Sequence, residues 1–342
     1  MMKATLVLLV CLFQCASVRA EKMVLRVGHF PNVTHAQALI AHGLSRSGKG
    51  WFEQRLGPDV EIQWFVYNAG PSAMEAIFAR SIDLTYVGPN PAINGYLRSH
   101  GEEVRIVAGA CSGGAALVVQ PDGRIMKDAD FRGKKIATPQ FGNTQDVACR
   151  SWLLSKGLRI TMVGGDARVV PTDNPDQLSL FQRGELDAAW TVEPWVSRMV
   201  LEAKGKVYLE ENSLWPETGG RYVTTHLVSS VKFLNDRPSL LKKWITAHVE
   251  LTEWINGHPD EARRILNDEI RAETTRALPE NILNSAWKRL VITYDPIKDS
   301  LLRSAEDAHR IGFLKEKPDL SHIYDLKLLN EVLREKGIAE IK

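Results

Sequence analysis

The chain has 342 residues, with 43 lysines and arginines and 41 aspartates and glutamates. Lys3 and Arg19 are the only charged residues before Glu21, so the rest of the chain carries 41 charges of each sign. This balance argues against a nucleic-acid or membrane-surface partner, which would favour a basic face, and the length predicts two domains.

The first twenty residues have the pattern of an export signal. Lys3 gives a positive start, "LVLLVCLF" is an apolar run, and residues 18–20 end in small side chains. We therefore expect a cleaved signal peptide over 1–20 and a periplasmic mature protein. Cys11 and Cys15 follow Val10 and Gln14, where a lipoprotein signal would have a small residue, so lipid anchoring is less favoured but stays open.

Next along the chain, short β-rich runs alternate with helical patterns. The strand candidates are "MVLRVGHF", "VEIQWFVY", "IDLTYVG" and "VRIVAGA"; the helix candidates are "THAQALIAHGL", "PSAMEAIFA" and "PAINGYLRS". Alternation of this kind predicts a parallel, doubly wound α/β sheet.

The alternation restarts after Ser112. Strands are predicted at "AALVVQ", "KKIAT", "ARVVP", "LDAAW" and "RYVTTHLVSS", and helices at "TQDVACRSWLLSKGL", "PDQLSLFQRG" and "PWVSRMVLEA". From Lys232 onward the chain is helical in character. Pro71 matches Pro175 and Asp83 matches Asp187 at a spacing of 104, a weak repeat that favours two similar α/β lobes.

Capping and small residues follow several of these strands. Thr34 with Gln37 fits a capping box, Gly70 precedes Pro71, Asn90 is a natural cap, and Asn143 or Thr144 can cap a further helix. Ligands of open α/β sheets lie beyond the carboxyl ends of the strands, so these helix starts share one rim. Free N–H groups at helix starts bind anions without lysine or arginine.

Two further segments lie at the same rim. Ser112 and Gly113 belong to the small-residue turn "CSGGA", and Trp190 and Trp195 flank Glu193. The tryptophans are interpreted either as core residues or as a ligand wall. Glu193 either faces a ligand cation or benefits from a helix N-terminus.

Enzyme and metal signatures are missing from the sequence. It has no G-x-x-x-x-G-K-[ST], G-x-G-x-x-G or H-E-x-x-H pattern, so no catalytic residue, cofactor or metal site is predicted. His35 and His42 are seven residues apart, a weak metal signal that favours core or solvated histidines. Cys111 and Cys149 are interpreted as buried thiols, with a disulfide left open.

Four motifs together resemble a known family: "GHFPNVTHAQAL", "YVGPNPAINGY", "GNTQDVACRSWL" and "DAAWTVEPW". In this order they are similar to periplasmic solute-binding proteins of ABC importers, in the nitrate, taurine and aliphatic-sulfonate branch, over roughly 24–240. The resemblance implies two doubly wound lobes of the type II periplasmic binding protein fold, joined by a two-strand hinge. Lobe I would comprise 21–111 plus 225–342, with a helical C-terminal part, and lobe II 112–224.

By the same resemblance, the protein is not an enzyme. It would bind a small organic anion or zwitterion between the lobes, and an aliphatic sulfonate or taurine-like compound is the favoured ligand. The protein would act as a monomer and deliver this ligand to a transmembrane permease. The implied ligand-facing residues are Phe30, Asn32, His35, Gly70, Asn90, Ser112, Gly113, Asn143, Thr144 and Glu193, with Trp190 added as a stacking wall. Alternatives are a thiamine-pyrimidine precursor as ligand, an enzyme on the same fold, or an extracytoplasmic sensor domain. His29, Cys111 and Cys149 depart from the family pattern and leave the ligand open.

Overall fold

A computed structural model describes residues 22–161 and 164–342. The predicted signal peptide therefore lies outside the described residues. Within them, none of the helices combines the length and the apolar character needed to cross a bilayer.

Eleven strands occur in the described ranges. They are β1 Met23–His29, β2 Val60–Val66, β3 Leu84–Val87, β4 Val104–Gly113, β5 Ala115–Val119, β6 Lys135–Thr138, β7 Arg168–Pro171, β8 Ala188–Val192, β9 Lys206–Glu210, β10 Val223–Ser230 and β11 Leu290–Ile292. All nine strand candidates are confirmed; β9 and β11 were not predicted.

Thirteen α-helices lie between and after these strands. They are α1 Ala36–Arg46, α2 Trp51–Leu56, α3 Gly70–Phe78, α4 Pro89–Arg98, α5 Thr144–Ser155, α6 Asn174–Gln182, α7 Trp195–Leu201, α8 Val231–Asp236, α9 Pro238–Gly257, α10 Pro259–Thr274, α11 Glu280–Trp287, α12 Lys298–Arg310 and α13 Lys327–Glu335. Pro259 in the first turn of α10, with Asp260 and Glu261 behind it, is the predicted start of that helix.

The strands form two mixed sheets. The first has the order β11-β4-β10-β3-β1-β2, and the second has the order β7-β6-β8-β5-β9. Pairings among β1, β2 and β3 and among β6, β7 and β8 are parallel, as predicted. However, β10 is antiparallel to β3 and β4, and β5 is antiparallel to β8 and β9. The predicted parallel arrangement is therefore confirmed for β1, β2, β3, β6, β7 and β8 but not for β5 and β10, because the strands that connect the sheets enter them in the opposite direction.

Helices cover both faces of each sheet. On the first sheet, α1, α9 and α10 pack into one apolar cluster and α3, α4 and α12 into another. On the second sheet, α5 covers one face and α6 with α7 the other. Both sheets are thus doubly wound, and the core of each is separate from the space between them.

Two chain segments cross between the sheets side by side. The first passes from β4 into β5 through Gly113 and Gly114, whose φ angles are 81° and 84°. The second returns through Tyr222 into β10, and the two are joined by the bond from Gly113 N–H to the Tyr222 carbonyl (3.2 Å). The predicted crossings at 111/112 and 224/225 fall within β4 and β10; the assignment of lobe boundaries stays a prediction.

Candidate functional site

A small pocket lies between the two sheets. The space open to the centre of a water molecule is about 30 Å³. Six predicted site residues line it: Phe30, Asn32, His35, Gly70, Asn143 and Thr144. The other lining residues are Thr34, Asn68, Ala69, Gly88, Pro91, Pro139, Gln145, Asn174, Val192 and Thr224. In the described part of the chain, no Lys, Arg, Asp or Glu lines this pocket.

Four helix N-termini meet at the pocket. Gly70 begins α3, Gly88 precedes α4, Thr144 begins α5 and Asn174 begins α6. The starts of α3, α4 and α6 have no side-chain cap, so the partial positive charge and the N–H groups of their non-proline residues are available at the pocket region. Three of the predicted helix starts, those of α3, α4 and α5, are therefore present at the pocket, and the start of α6 was not predicted there.

Two predicted caps are wrong. The Gln37 side chain does not close a capping box with Thr34, because it donates instead to the Ala110 carbonyl (2.8 Å) and to Thr252 Oγ1 (3.1 Å). Asn90 lies inside α4, where its Nδ2 donates to the Ser304 carbonyl (3.3 Å). Both amides stabilise long-range packing rather than a helix start.

The cap of α5 is formed as predicted. Asn143 Oδ1 accepts from the Asp146 N–H (2.9 Å), and the Asp146 carboxylate in turn accepts from Gly142 N–H (2.9 Å) and Thr138 Oγ1 (2.8 Å). Buried Arg150 pairs with Asp146 at 3.1 Å. This network fixes the loop before α5. It does not use the hydroxyl of Thr144, the residue that follows Asn143.

Two buried polar atoms at the pocket have no partner within the described residues. They are Thr144 Oγ1 and His35 Nδ1. Burial, followed by the nearby His29 ring, holds the pKa of His35 well below its usual value, so the imidazole is neutral. Because buried polar groups in proteins are nearly always hydrogen-bonded, these two atoms are suited to bonds with a ligand.

Gly70 and Gly88 allow close approach at the pocket. A Cβ on Gly70 would lie 2.3 Å from Pro91 Cγ, and a Cβ on Gly88 would lie 2.4 Å from Thr144 Oγ1. Gly88 belongs to the loop after β3 of the first sheet, whereas Thr144 follows β6 of the second. Because Gly88 lacks a Cβ, the two halves of the molecule, each a sheet with its covering helices, can come into contact here.

The remaining predicted residues do not line this pocket. Ser112 and Gly113 form part of the first crossing segment, where Ser112 Oγ accepts from Tyr222 N–H (3.2 Å). Trp190 is fully buried beside Trp152, and its Nε1 donates to Glu211 Oε2 (2.7 Å), so the core interpretation fits its position. Asn90, as noted, bonds Ser304.

Glu193 is buried and engaged by protein groups. Its carboxylate accepts from Ser197 N–H (3.1 Å) and Ser197 Oγ (2.9 Å) in the first turn of α7, and from Arg289 Nη1 (3.1 Å). Burial raises the pKa of Glu193 to about 7, although the bonds from Ser197 and Arg289 oppose this shift. This position matches the helix-terminus interpretation.

Sequence reasoning missed several lining residues, including Asn68, Gln145 and Asn174. One signal could have found Asn174: the repeat that aligns Pro71 with Pro175 also aligns Gly70, a predicted site residue, with Asn174. Asn68 lies two residues before Gly70 and Gln145 lies within the motif "GNTQDVACRSWL", but neither carries a distinguishing pattern of its own.

Polar contacts join the two halves beside the pocket. Trp195 Nε1 donates to Asn32 Oδ1 (3.0 Å), and Asn68 Nδ2 donates to Asp173 Oδ1 (2.8 Å). Outside these contacts is a larger groove of about 690 Å³, which shares Asn32, Asn68 and Asn174 with the inner pocket. Its lining is mixed, with Trp195, Leu178, Ile270, Arg198 and Arg276 among its residues.

The three residues that depart from the family pattern do not line the pocket. Cys111 and Cys149 are free, buried thiols in different apolar clusters, which confirms their interpretation as packed thiols. His29 is buried against His42 and Glu273.

A family model described as the NMT1-like family matches residues 19–268. The chain is 26% identical over 217 residues to proteins of Brucella abortus, Brucella suis and Brucella melitensis whose names state a binding role; the match spans 63% of this chain and 63% of each relative. It is 24% identical to the taurine-binding periplasmic protein of Escherichia coli, over 58% of this chain and 59% of that protein. The alkanesulfonate-binding protein SsuA of Xanthomonas axonopodis pv. citri, solved with MOPS, shares the fold with a TM-score of 0.69 at 19% identity, over 88% of this chain and 96% of that one.

Proposed function

Because the chain belongs to the NMT1-like family, we propose that it is an extracytoplasmic solute-binding protein for a small organosulfonate. Its relatives include periplasmic binding proteins, among them one named for taurine. In this proposal the ligand binds between the two sheets, and the bilobed protein closes over it.

The observation that carries the proposal is the neutral lining of the inner pocket. Four helix N-termini and the side chains of Asn, Gln, Thr and His surround it, and no charged side chain lines it in the ranges that the structure describes. Helix N-termini stabilise an anion through their N–H groups and dipoles. A closed, dry pocket strengthens those bonds.

The size of the pocket favours a compact head group with a tail. One water needs about 10–15 Å³ by the same measure, so about 30 Å³ suits a small polar group rather than a ring. The shared residues Asn32, Asn68 and Asn174 connect the pocket with the outer groove. A sulfonate head would bind inside while its carbon chain extends past these three amides toward Trp195 and Leu178.

A thermal-shift series tests this proposal. Methane-, butane- and hexanesulfonate, taurine, nitrate and an aminopyrimidine are added separately to the purified protein. Sulfonates should raise the melting temperature, increasingly with chain length, because ligands that bind only the folded state stabilise it. If no sulfonate does so, the proposal fails; a shift with the aminopyrimidine alone would favour the precursor-binding alternative, and turnover of any compound would favour an enzyme.

The wider role is part of the same proposal. The mature protein would act as a periplasmic monomer after cleavage of the predicted signal peptide and would deliver its ligand to the transmembrane permease of an ABC importer. Intact mass of the protein secreted with its own N-terminus tests the cleavage after Ala20. An uncleaved or lipid-modified product would contradict this part of the proposal.

A further inference from the structure

A second polar cluster is buried behind the wall of the pocket. His29 at the end of β1, His42 on α1 and Glu273 on α10 each place one nitrogen or oxygen atom within 4.8 Å of the others. His29 Nε2 is 2.6 Å and His42 Nδ1 3.0 Å from the same oxygen, Glu273 Oε1. The exposed fractions of these side chains are 0%, 11% and 1%.

Two acidic residues near the end of α10 lie where negative charge destabilises a helix. Glu269 and Glu273 are four residues apart in the last two turns, so they repel each other and face the negative end of the helix dipole. Arg46 pairs with Glu269 at 2.8 Å, but Glu273 has no lysine or arginine partner among the described residues. Its second oxygen, Oε2, is buried and has no hydrogen-bond partner there. A further positive charge would therefore be stabilised at Glu273.

We propose that His29, His42 and Glu273 bind a divalent transition-metal ion of the zinc type. Two imidazole nitrogens and one carboxylate are a ligand set that such ions prefer, with a fourth position for water or for Glu269 Oε1, which lies 2.8 Å from His42 Nδ1. Ligand atoms of a tetrahedral zinc ion are about 3.3 Å apart, so the contacts of Glu273 Oε1 with His29 (2.6 Å) and His42 (3.0 Å) must widen by about 0.7 and 0.3 Å on binding. Trp64 stacks on His42 and contacts His29 edge-on, which orients both rings.

One side of the cluster lies next to a surface groove. Glu269, which is 2.8 Å from His42 Nδ1, and half-exposed Arg46 line this groove, and the His42 side chain is 11% exposed. None of the three proposed metal ligands lines the ligand pocket.

Zinc titration of the chelator-treated protein, in competition with a chromogenic chelator, tests the site. One ion per chain is expected, with the affinity reduced at least tenfold by Glu273→Gln. Asp268→Asn, an exposed carboxylate on the same helix, is the matched control and should leave the affinity unchanged. The absence of binding, or binding that Glu273→Gln does not weaken, would overturn the proposal.

Because Glu273→Gln alters a buried group, a second measurement uses the unmodified protein. Crystals soaked with Co²⁺ are measured at the cobalt absorption edge. An anomalous peak between His29, His42 and Glu273 supports the site, whereas ordered crystals with no peak there overturn it.

Discussion

At the residue scale, substitution of Thr144 should change ligand binding without changing the stability of the fold. Its hydroxyl is buried at the pocket and makes no hydrogen bond within the described residues, so Thr144→Val should leave the melting temperature of the ligand-free protein nearly unchanged. The same change should weaken sulfonate binding by roughly 3- to 10-fold, the value of one hydrogen bond. Calorimetric titration measures the affinity.

Thr225 provides the control for this prediction. Its hydroxyl is also buried and unpartnered in the described part of the chain, but it lies on β10 and does not line the pocket. Thr225→Val should change neither the melting temperature of the ligand-free protein nor its affinity for a sulfonate. Equal losses of affinity in the two variants would show that Thr144 does not contact the ligand.

Asn143 is less informative because it has two roles. Its Oδ1 caps α5, so Asn143→Leu should cost about 1 kcal/mol of stability before any effect on binding. Our sequence analysis predicted both the cap and the pocket position. It could not predict that the cap occupies the side-chain oxygen and so leaves Thr144, rather than Asn143 Oδ1, available to a ligand.

Glu211 predicts a pH dependence of stability. Burial raises its pKa to about 7, against the bond from Trp190 Nε1. Between its unfolded value near 4.5 and 7 the folded state binds more protons than the unfolded state, so this residue lowers stability as pH rises through that window. Glu211→Gln should therefore be more stable than the natural protein at pH 8, by up to about 3 kcal/mol, but not at pH 4.

Urea unfolding at pH 4, 6 and 8 measures the difference. Gln keeps an oxygen that can accept from Trp190, and exposed Glu316→Gln is the control for a generic charge effect. A difference that is the same at all three pH values would show that folding does not raise the pKa of Glu211.

At the scale of secondary-structure elements, the glycines at the starts of α3 and α4 differ in the residues that an added Cβ would contact. A Cβ on Gly70 would meet Pro91 and Val87 of the same half, both within 2.9 Å, where nothing can rotate away freely. Gly70→Ala should lower the free energy of unfolding by about 1–3 kcal/mol. A Cβ on Gly88 would instead meet the Thr144 hydroxyl across the interface, which can rotate or withdraw. Gly88→Ala should therefore leave the free energy of unfolding unchanged and lower the affinity for a sulfonate. Unfolding curves and calorimetric titrations of both variants measure these two quantities.

Elements were more predictable than their contacts. The periodicity of apolar residues was sufficient for all nine predicted strands, because each reflects local alternation and turn chemistry. Strand β11 has only three residues, too few for such a pattern, and β9 is an edge strand of the second sheet with no fully buried residue, so it lacks a distinct apolar run. The uses of Gln37 and Asn90 were mispredicted for another reason: each side chain bonds a residue more than 70 positions away, and no local rule encodes that choice.

At the scale of the whole molecule, Arg289 joins the C-terminal helical part to the second sheet. It pairs with buried Glu193 at 3.1 Å and with Glu210 at 3.0 Å. Arg289→Met should favour an open arrangement of the ligand-free protein, because Glu193 would lose its only cationic partner among the described residues. We expect a larger radius of gyration in small-angle scattering and an affinity lower by on the order of tenfold.

Arg98→Met is the control, since the pair of Arg98 with Glu75 lies within one half of the molecule. Both variants remove one paired arginine, which is exposed at Arg98 and largely buried at Arg289. An unchanged radius and affinity in Arg289→Met would mean that the other contacts between the halves are sufficient to keep them together.

The neutral lining of the pocket also has a consequence for selectivity. Helix dipoles offer only fractional charges, and no lysine or arginine lines the pocket in the described ranges, so a second buried negative charge would have no cationic partner and would be costly. The pocket should therefore distinguish its ligand by charge number as well as by shape. Sulfate and the dianionic form of phosphate, although they resemble a sulfonate head in size, would be rejected even when they are abundant around the cell.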